Sequence, residues 1–146
     1  MQRAGFTIFE VTVVVGIVVL VIISSLPAIR TAQINSTLRR EGRSLLSDLR
    51  LAQQLTLGEQ TTHLVKLFNT TPQKYQLIAR LASDTIIKEH ELNNKITWQD
   101  MGGFTNNEII FTISGSAVEA GTIVLQNTNG LTTGLEVKPS GYVKVN

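Results

Sequence analysis

Between Val11 and Ile29 the chain runs for nineteen residues without a charge, and Val, Ile and Leu dominate the run. At about 1.5 Å per residue a helix of that length reaches roughly 28 Å, close to the ~30 Å hydrocarbon thickness of a bilayer. Val and Ile are mediocre helix formers in water. In lipid, a spanning segment must satisfy its own backbone hydrogen bonds, so helix is imposed whatever the propensity. The run therefore predicts a membrane helix. Its flanks are unlike those of a removable secretory signal. Only MQRAG, with Arg3, stands well before it, and Ser24-Ser25-Leu26 gives way at once to Pro27 rather than to a small-residue cleavage site. Glu10 lies at the lip of the run, and no Lys or Arg between Arg3 and Arg30 is available to pair with it. An ionisable group at such a place is a functional candidate by default.

Gly5-Phe6-Thr7-Ile8-Phe9-Glu10, followed directly by the apolar helix and by Pro27, resembles the class III signal of type IV pilins and pseudopilins. The resemblance implies that a prepilin peptidase cuts after Gly5 on the cytoplasmic side and methylates the new amino terminus at Phe6. It places Glu10 at the fifth position of the mature chain, where the family keeps a glutamate used in subunit assembly. Pro27 falls at the twenty-second, where many members kink the helix. Phe9 and Val11 depart mildly from the aliphatic Ile and Leu that the family prefers. The resemblance also decides orientation. Arg30, Arg39, Arg40 and Arg43 follow the apolar run, which by charge alone would keep the long side in the cytoplasm. The family instead carries that side outside, on a single-pass anchor in the cytoplasmic (inner) membrane, and the cleavage motif is the more specific signal.

Four segments follow: a leader at 1–5, a transmembrane and assembly helix at 6–29, an amphipathic continuation of that helix at 30–58, and a β-rich domain at 59–146. Beyond Pro27 the apolar residues become periodic. Ile34, Leu38, Leu45, Leu49 and Ala52 lie within about 40° of one line at 100° per residue, with Arg39, Arg43 and Arg50 along its flank. The pattern predicts helix to about Leu57, stopped at Gly58, with a bend where Pro27 removes the bond to the Ile23 carbonyl. Alternation predicts strands at 63–68, 75–79, 85–92, 95–99, 108–114, 121–127, 135–138 and 142–145, with Asn69-Thr70-Thr71-Pro72 and Pro139-Ser140-Gly141 as turns. The expected fold class is α+β: a long N-terminal helix packed on an antiparallel β domain, pilin-like. Cysteine is absent, so the domain must hold by packing without a disulfide. Leu46 to Gln53, Ile110-Phe111 with Gly115, Ala120-Gly121-Thr122-Ile123 and Pro139-Ser140-Gly141-Tyr142-Val143 are similar to H-type pseudopilins of type II secretion and their minor-pilin relatives.

The chemistry-bearing residues are sparse. His90 lies in Lys88-Glu89-His90-Glu91-Leu92, with no second His four residues on, and on a strand its two glutamates point away from it; it is expected on a solvated strand. His63 has no acidic neighbour in sequence and is expected on strand surface. Ser140 is in a turn without a nucleophile-elbow pattern. Asp100, Asn106, Asn107 and Glu108 offer oxygens, but their spacing fits no calcium loop. No enzyme, metal or cofactor is expected. With 13 basic against 11 acidic residues the net charge is only +2, too weak to argue a polyanion partner. The leading function is a minor pilin or pseudopilin, a structural subunit of a type II secretion pseudopilus or type IV pilus-like filament. Its implied partners are the prepilin peptidase, other pilin or pseudopilin subunits, the inner-membrane assembly platform and membrane lipid. The alternative is a competence-type minor pilin whose β domain binds DNA or a surface, with Lys138, Tyr142 and Lys144 as the DNA-binding residues.

Overall fold

The computed structural model describes residues 7–145, so Gly5 and Phe6 lie outside the described residues. One helix, α1 (Ile8–Glu59), comes first. Residues up to Gln33 form one compact unit and those from Ile34 onward a second. In the first unit every described side chain is exposed. Its polar groups are satisfied locally. The hydroxyls of Thr12, Ser24, Ser25 and Thr31 donate to the carbonyls of Ile8, Leu20, Val21 and Pro27, each at 2.8–3.1 Å. Helix is assigned straight through Pro27.

In the second unit α1 runs one residue past Gly58 and ends at Glu59. The left-handed residue that terminates it is Gln60, at φ 54°, whose side chain also caps the Leu57 carbonyl. Among the described residues, eight strands follow in two antiparallel sheets. The first sheet orders β3 (Asp84–Glu91), β2 (Lys74–Arg80), β1 (His63–Phe68) and β5 (Glu108–Phe111). The second orders β4 (Ile96–Met101), β6 (Gly121–Asn127), β7 (Thr132–Val137) and β8 (Val143–Val145). Two of the expected strands are recovered at their bounds and the others shift by one to three residues.

One apolar core joins the three parts. Leu38, Leu45, Leu49 and Ala52 of α1 meet Val65, Leu67, Leu77, Ile109 and Phe111 of the first sheet and Ile123, Leu125, Leu135 and Val137 of the second. Gly42, which as a helix interior residue looks like a weak point, is buried because β7 comes close. A Cβ there would meet Thr133 Cγ2 at 3.0 Å. Trp98 of β4 bridges the sheets. Its ring Nε1 donates to the Phe68 carbonyl at 3.1 Å, and its backbone N–H donates to Gln73 Oε1 at 2.7 Å.

The face of the first sheet turned away from α1 carries an ionic ladder. Glu108 accepts from Lys66 Nζ at 2.9 Å and from Arg80 at 2.8 Å, and Arg80 also reaches Asp84 at 3.7 Å. Farther along, Glu89 accepts from Lys74 at 3.0 Å and from Gln76. Burial works against the charge on Glu108, but its hydrogen bonds from Lys66 and Arg80 outweigh that cost and hold its carboxyl below the ordinary range. A depressed folded value means stability that is present above the unfolded glutamate pKa, about 4.3, and lost as pH falls through the folded one. Glu108→Gln should therefore lower the melting temperature at pH 7 while shrinking the further drop on going to about pH 3. Melts of both proteins at the two pH values test this; equal drops would remove Glu108 from the acid response.

Candidate functional site

The one acidic group of the N-terminal unit is set at the start of α1. Thr7 precedes the helix, and its Oγ1 accepts from the Glu10 backbone N–H at 3.2 Å. Thr7-x-x-Glu10 thus forms half of a capping box, with a carboxylate in the first turn where the helix dipole favours negative charge. This gives Glu10 a local structural role. The carboxylate itself has no ion pair among the described residues, which hold no Lys or Arg before Arg30. The stretch Ile8–Glu59 contains a window long and apolar enough to cross a membrane, with none of that window buried.

In the second unit three of the four short motifs of the sequence meet around Gln53. Its Nε2 donates to the Gly115 carbonyl at 2.6 Å. Pro139-Ser140-Gly141 forms the expected turn, with the Gly141 N–H donating to the Lys138 carbonyl at 2.8 Å and Lys138 N–H to the Tyr142 carbonyl at 2.9 Å. Pro139 in turn offers its carbonyl to Ala117 at 3.1 Å, beside the Phe111–Ala117 bridge. Gly141 sits at φ 79°, and a Cβ there would collide with the Gly115 carbonyl and with Gln53 Nε2. Gly121 is held just as closely, against the Gly102 carbonyl and the Phe104 ring. These motifs are a packing device: they fasten the last strand to α1 and to the turn after β5.

A second cluster was not legible in the sequence. Asp48, on the apolar stripe of α1 and 3% exposed, accepts from Tyr75 Oη at 2.7 Å and from Lys88 Nζ at 2.7 and 2.9 Å. Ser44 lies 3.2 Å from the same tyrosine oxygen. Burial pushes the Tyr75 hydroxyl well above its ordinary range; the Ser44 contact opposes this and Asp48 adds to it. β3 is exposed along nearly all its length, as expected, but His90 is half-buried on it. As expected for a strand, Glu89 turns to the opposite face, but His90 Nε2 lies 2.8 Å from Glu41 of α1 and its ring 5.1 Å from that of Tyr75. His63 is fully buried, with Nδ1 2.8 Å from the Thr61 carbonyl and Nε2 3.4 Å from Glu59. Both histidines therefore face glutamates of α1, which linear spacing could not show.

Two of the oxygen-bearing residues around the Gly102-Gly103 loop are engaged within the domain. Glu108 is committed to Lys66 and Arg80, and Asp100 Oδ1 accepts from the Gly102 N–H at 3.0 Å. Among the described residues no group of three or more His, Asp or Glu could hold a metal ion. The three residues named for DNA are brought near one another but are not equivalent. Lys138 and Tyr142 are exposed, whereas Lys144 Nζ lies 3.0 Å from Glu136 on β7.

No protein-family model matches this chain, and no curated protein matches its sequence. Solved structures match its fold. The minor pseudopilin EpsH from the type 2 secretion system of Vibrio cholerae aligns with a TM-score of 0.64 at 9% identity, over 75% of this chain and 95% of that one. The type IV minor pilin FimU of Pseudomonas aeruginosa aligns with a TM-score of 0.57 at 14% identity, over 75% of this chain and 92% of that one. A second crystal form of FimU gives 0.58, over 80% and 90%. The α+β architecture, a long N-terminal helix packed on antiparallel sheets, is thus the fold of a minor pseudopilin and a minor pilin.

The turn around Gly141 gives a test of that packing device. Gly141→Ala meets both the left-handed backbone and the collision, and should cost about 3 kcal/mol or more. Gly130→Ala, at φ 83° with open space around it, should cost only about 1–2 kcal/mol. Side-by-side thermal melts check the pair, and equal losses would show that the contact of Gln53, Gly115 and Gly141 is slack.

Proposed function

We propose that this chain is a minor pilin or pseudopilin, a processed structural subunit of a type II secretion pseudopilus or a type IV pilus-like filament. The observation that carries the reading is an apolar stretch of α1, exposed at every described residue up to Gln33, in a chain whose fold is that of a minor pseudopilin and a minor pilin. Such a helix has no solvent of its own in water. It is stored in the cytoplasmic membrane, with the β domain outside the cytoplasm, until an assembly platform moves it into a bundle of like helices. The prepilin peptidase removes residues 1–5 and methylates Phe6. In the bundle Glu10 neutralises the α-amine of a neighbouring subunit, a pairing that serves register more than stability. Pro27 gives the helix a place to bend. The competence-type alternative has less support, because Glu136 already neutralises Lys144 at the proposed DNA face.

Processing is tested by intact mass and N-terminal sequencing of protein from its native membrane. The expected mature chain begins at methylated Phe6; one beginning at Met1, or cut after Leu26, would overturn the reading.

Assembly is tested at Glu10. A carboxylate at the edge of the bilayer is costly, so Glu10→Ala should insert as well as wild type or better, and should still be cleaved because Gly5 is untouched. Its loss should show as failure of crosslinks between cysteine probes on neighbouring subunits. Assembly at the wild-type level would leave the Glu10 carboxylate with only its place at the positive end of the helix dipole.

A further inference from the structure

His63 makes a demand that no filament role accounts for. It is fully buried at the start of β1, just after α1 ends, and both of its ring nitrogens face oxygen. Nδ1 lies 2.8 Å from the Thr61 carbonyl, and Nε2 lies 3.4 Å from Glu59 Oε2. A carbonyl oxygen only accepts, so the Thr61 contact places a proton on Nδ1. In a neutral ring that leaves Nε2 as a bare lone pair, buried, without a hydrogen bond among the described residues and turned toward a carboxylate. Moving the proton to Nε2 serves Glu59 but sets Nδ1 against the Thr61 carbonyl. Either neutral form leaves one buried group unmatched. Only a ring protonated on both nitrogens has a donor for each oxygen.

Burial alone disfavours a charged ring. Here two acceptors and a helix end are set against that cost. α1 ends at Glu59 with no basic residue in its last turn, so the negative end of its dipole has no cation of its own there. The cross-strand neighbours of His63 are uncharged, Ala79 on β2 and Phe111 on β5. From α1 the Thr56 hydroxyl accepts the His63 backbone N–H at 3.0 Å. Lys66 and Arg80 of the same sheet are held on Glu108. Among the described residues Glu59 is thus the one charged group that reaches the ring. His90 makes no such demand. Its acceptor among the described residues is Glu41, 2.8 Å from Nε2, and a neutral ring protonated there satisfies it.

We infer that His63 takes up a second proton in the folded domain, and that the resulting imidazolium is a pH-sensitive clasp tying the end of α1 to the first sheet through Glu59. The clasp is closed below about pH 6.5, where histidine in an unfolded chain is also charged, and is lost as pH rises and the ring gives up its second proton. It acts in the opposite sense to Glu108, whose contribution is lost in acid. Nothing in a filament subunit as such requires it.

The test uses the full chain in detergent with His90→Gln, which keeps a donor for Glu41 and leaves His63 as the only histidine. Nitrogen NMR of the ring separates the charged form, protonated on both nitrogens, from either neutral tautomer. The charged pattern is expected at about pH 5.5. Glu59→Gln in the same background removes the carboxylate and offers Nε2 an amide donor. The charged pattern should then give way at a lower pH, to the neutral ring with its proton on Nδ1. Glu59 is more than half exposed, so this change leaves the core intact. In thermal melts Glu59→Gln should lower Tm relative to its parent at about pH 5.5, and the loss should vanish at about pH 8. Glu108 is present in both proteins, so its acid response cancels in the comparison. A ring neutral at both pH values, a charged ring that titrates identically with and without Glu59, or a Tm difference equal at both pH values would each overturn the clasp. None of these results bears on cleavage at Gly5 or on the role of Glu10.

Discussion

A carboxylate taken out of water must be matched at once, and Asp48 is matched from two strands. Tyr75 of β2 and Lys88 of β3 both donate to it from the first sheet, while its own backbone belongs to α1. An apolar stripe alone would let a helix slide or rotate by a turn against a sheet at modest cost. A buried charge with two directional partners would not, because any slip leaves it unpaired at a cost of several kcal/mol. His90 on Glu41 and His63 near Glu59 act at the two ends of the same line. The register of α1 against the first sheet is therefore set by polar contacts laid along an apolar seam, in a domain that has no disulfide to do so.

Much of this fold was legible in the sequence, for reasons that can be named. A nineteen-residue uncharged run, a helical stripe through Leu38, Leu45, Leu49 and Ala52, and Pro139-Ser140-Gly141 are local signals, and local physics writes them directly. What was not legible depends on partners distant in sequence. Asp48 looks like a polar interruption of the stripe until β3 brings Lys88 across forty residues to it. His63 looked like surface because Glu59 lies on the helix before it, and only the turn at Gln60 sets the two side by side. Gly42 signalled weakness in a helix, whereas its lack of a side chain is what admits Thr133. The division into two sheets was equally hidden, since strand order is a property of pairing and every strand reads much the same by itself.

The candidate site divides along the same line. Glu10 stands out in the sequence as a candidate because an ionisable residue beside an apolar run is costly wherever the fold places it. Its capping contact with Thr7 is equally local. The arginines of α1 were visible as a stripe, but the sequence could not show that Arg50 reaches the Val143 carbonyl of β8.

Trp98 is the chain's single tryptophan. It is 8% exposed, and its indole N–H reaches from β4 of the second sheet to the Phe68 carbonyl at the end of β1 in the first. The protein thus contains one indole fluorophore beside its two tyrosines, placed where its two sheets meet. Its emission reports the closure of that junction specifically, so a loosening of the seam is readable by colour, in detergent or in membranes, without any label added.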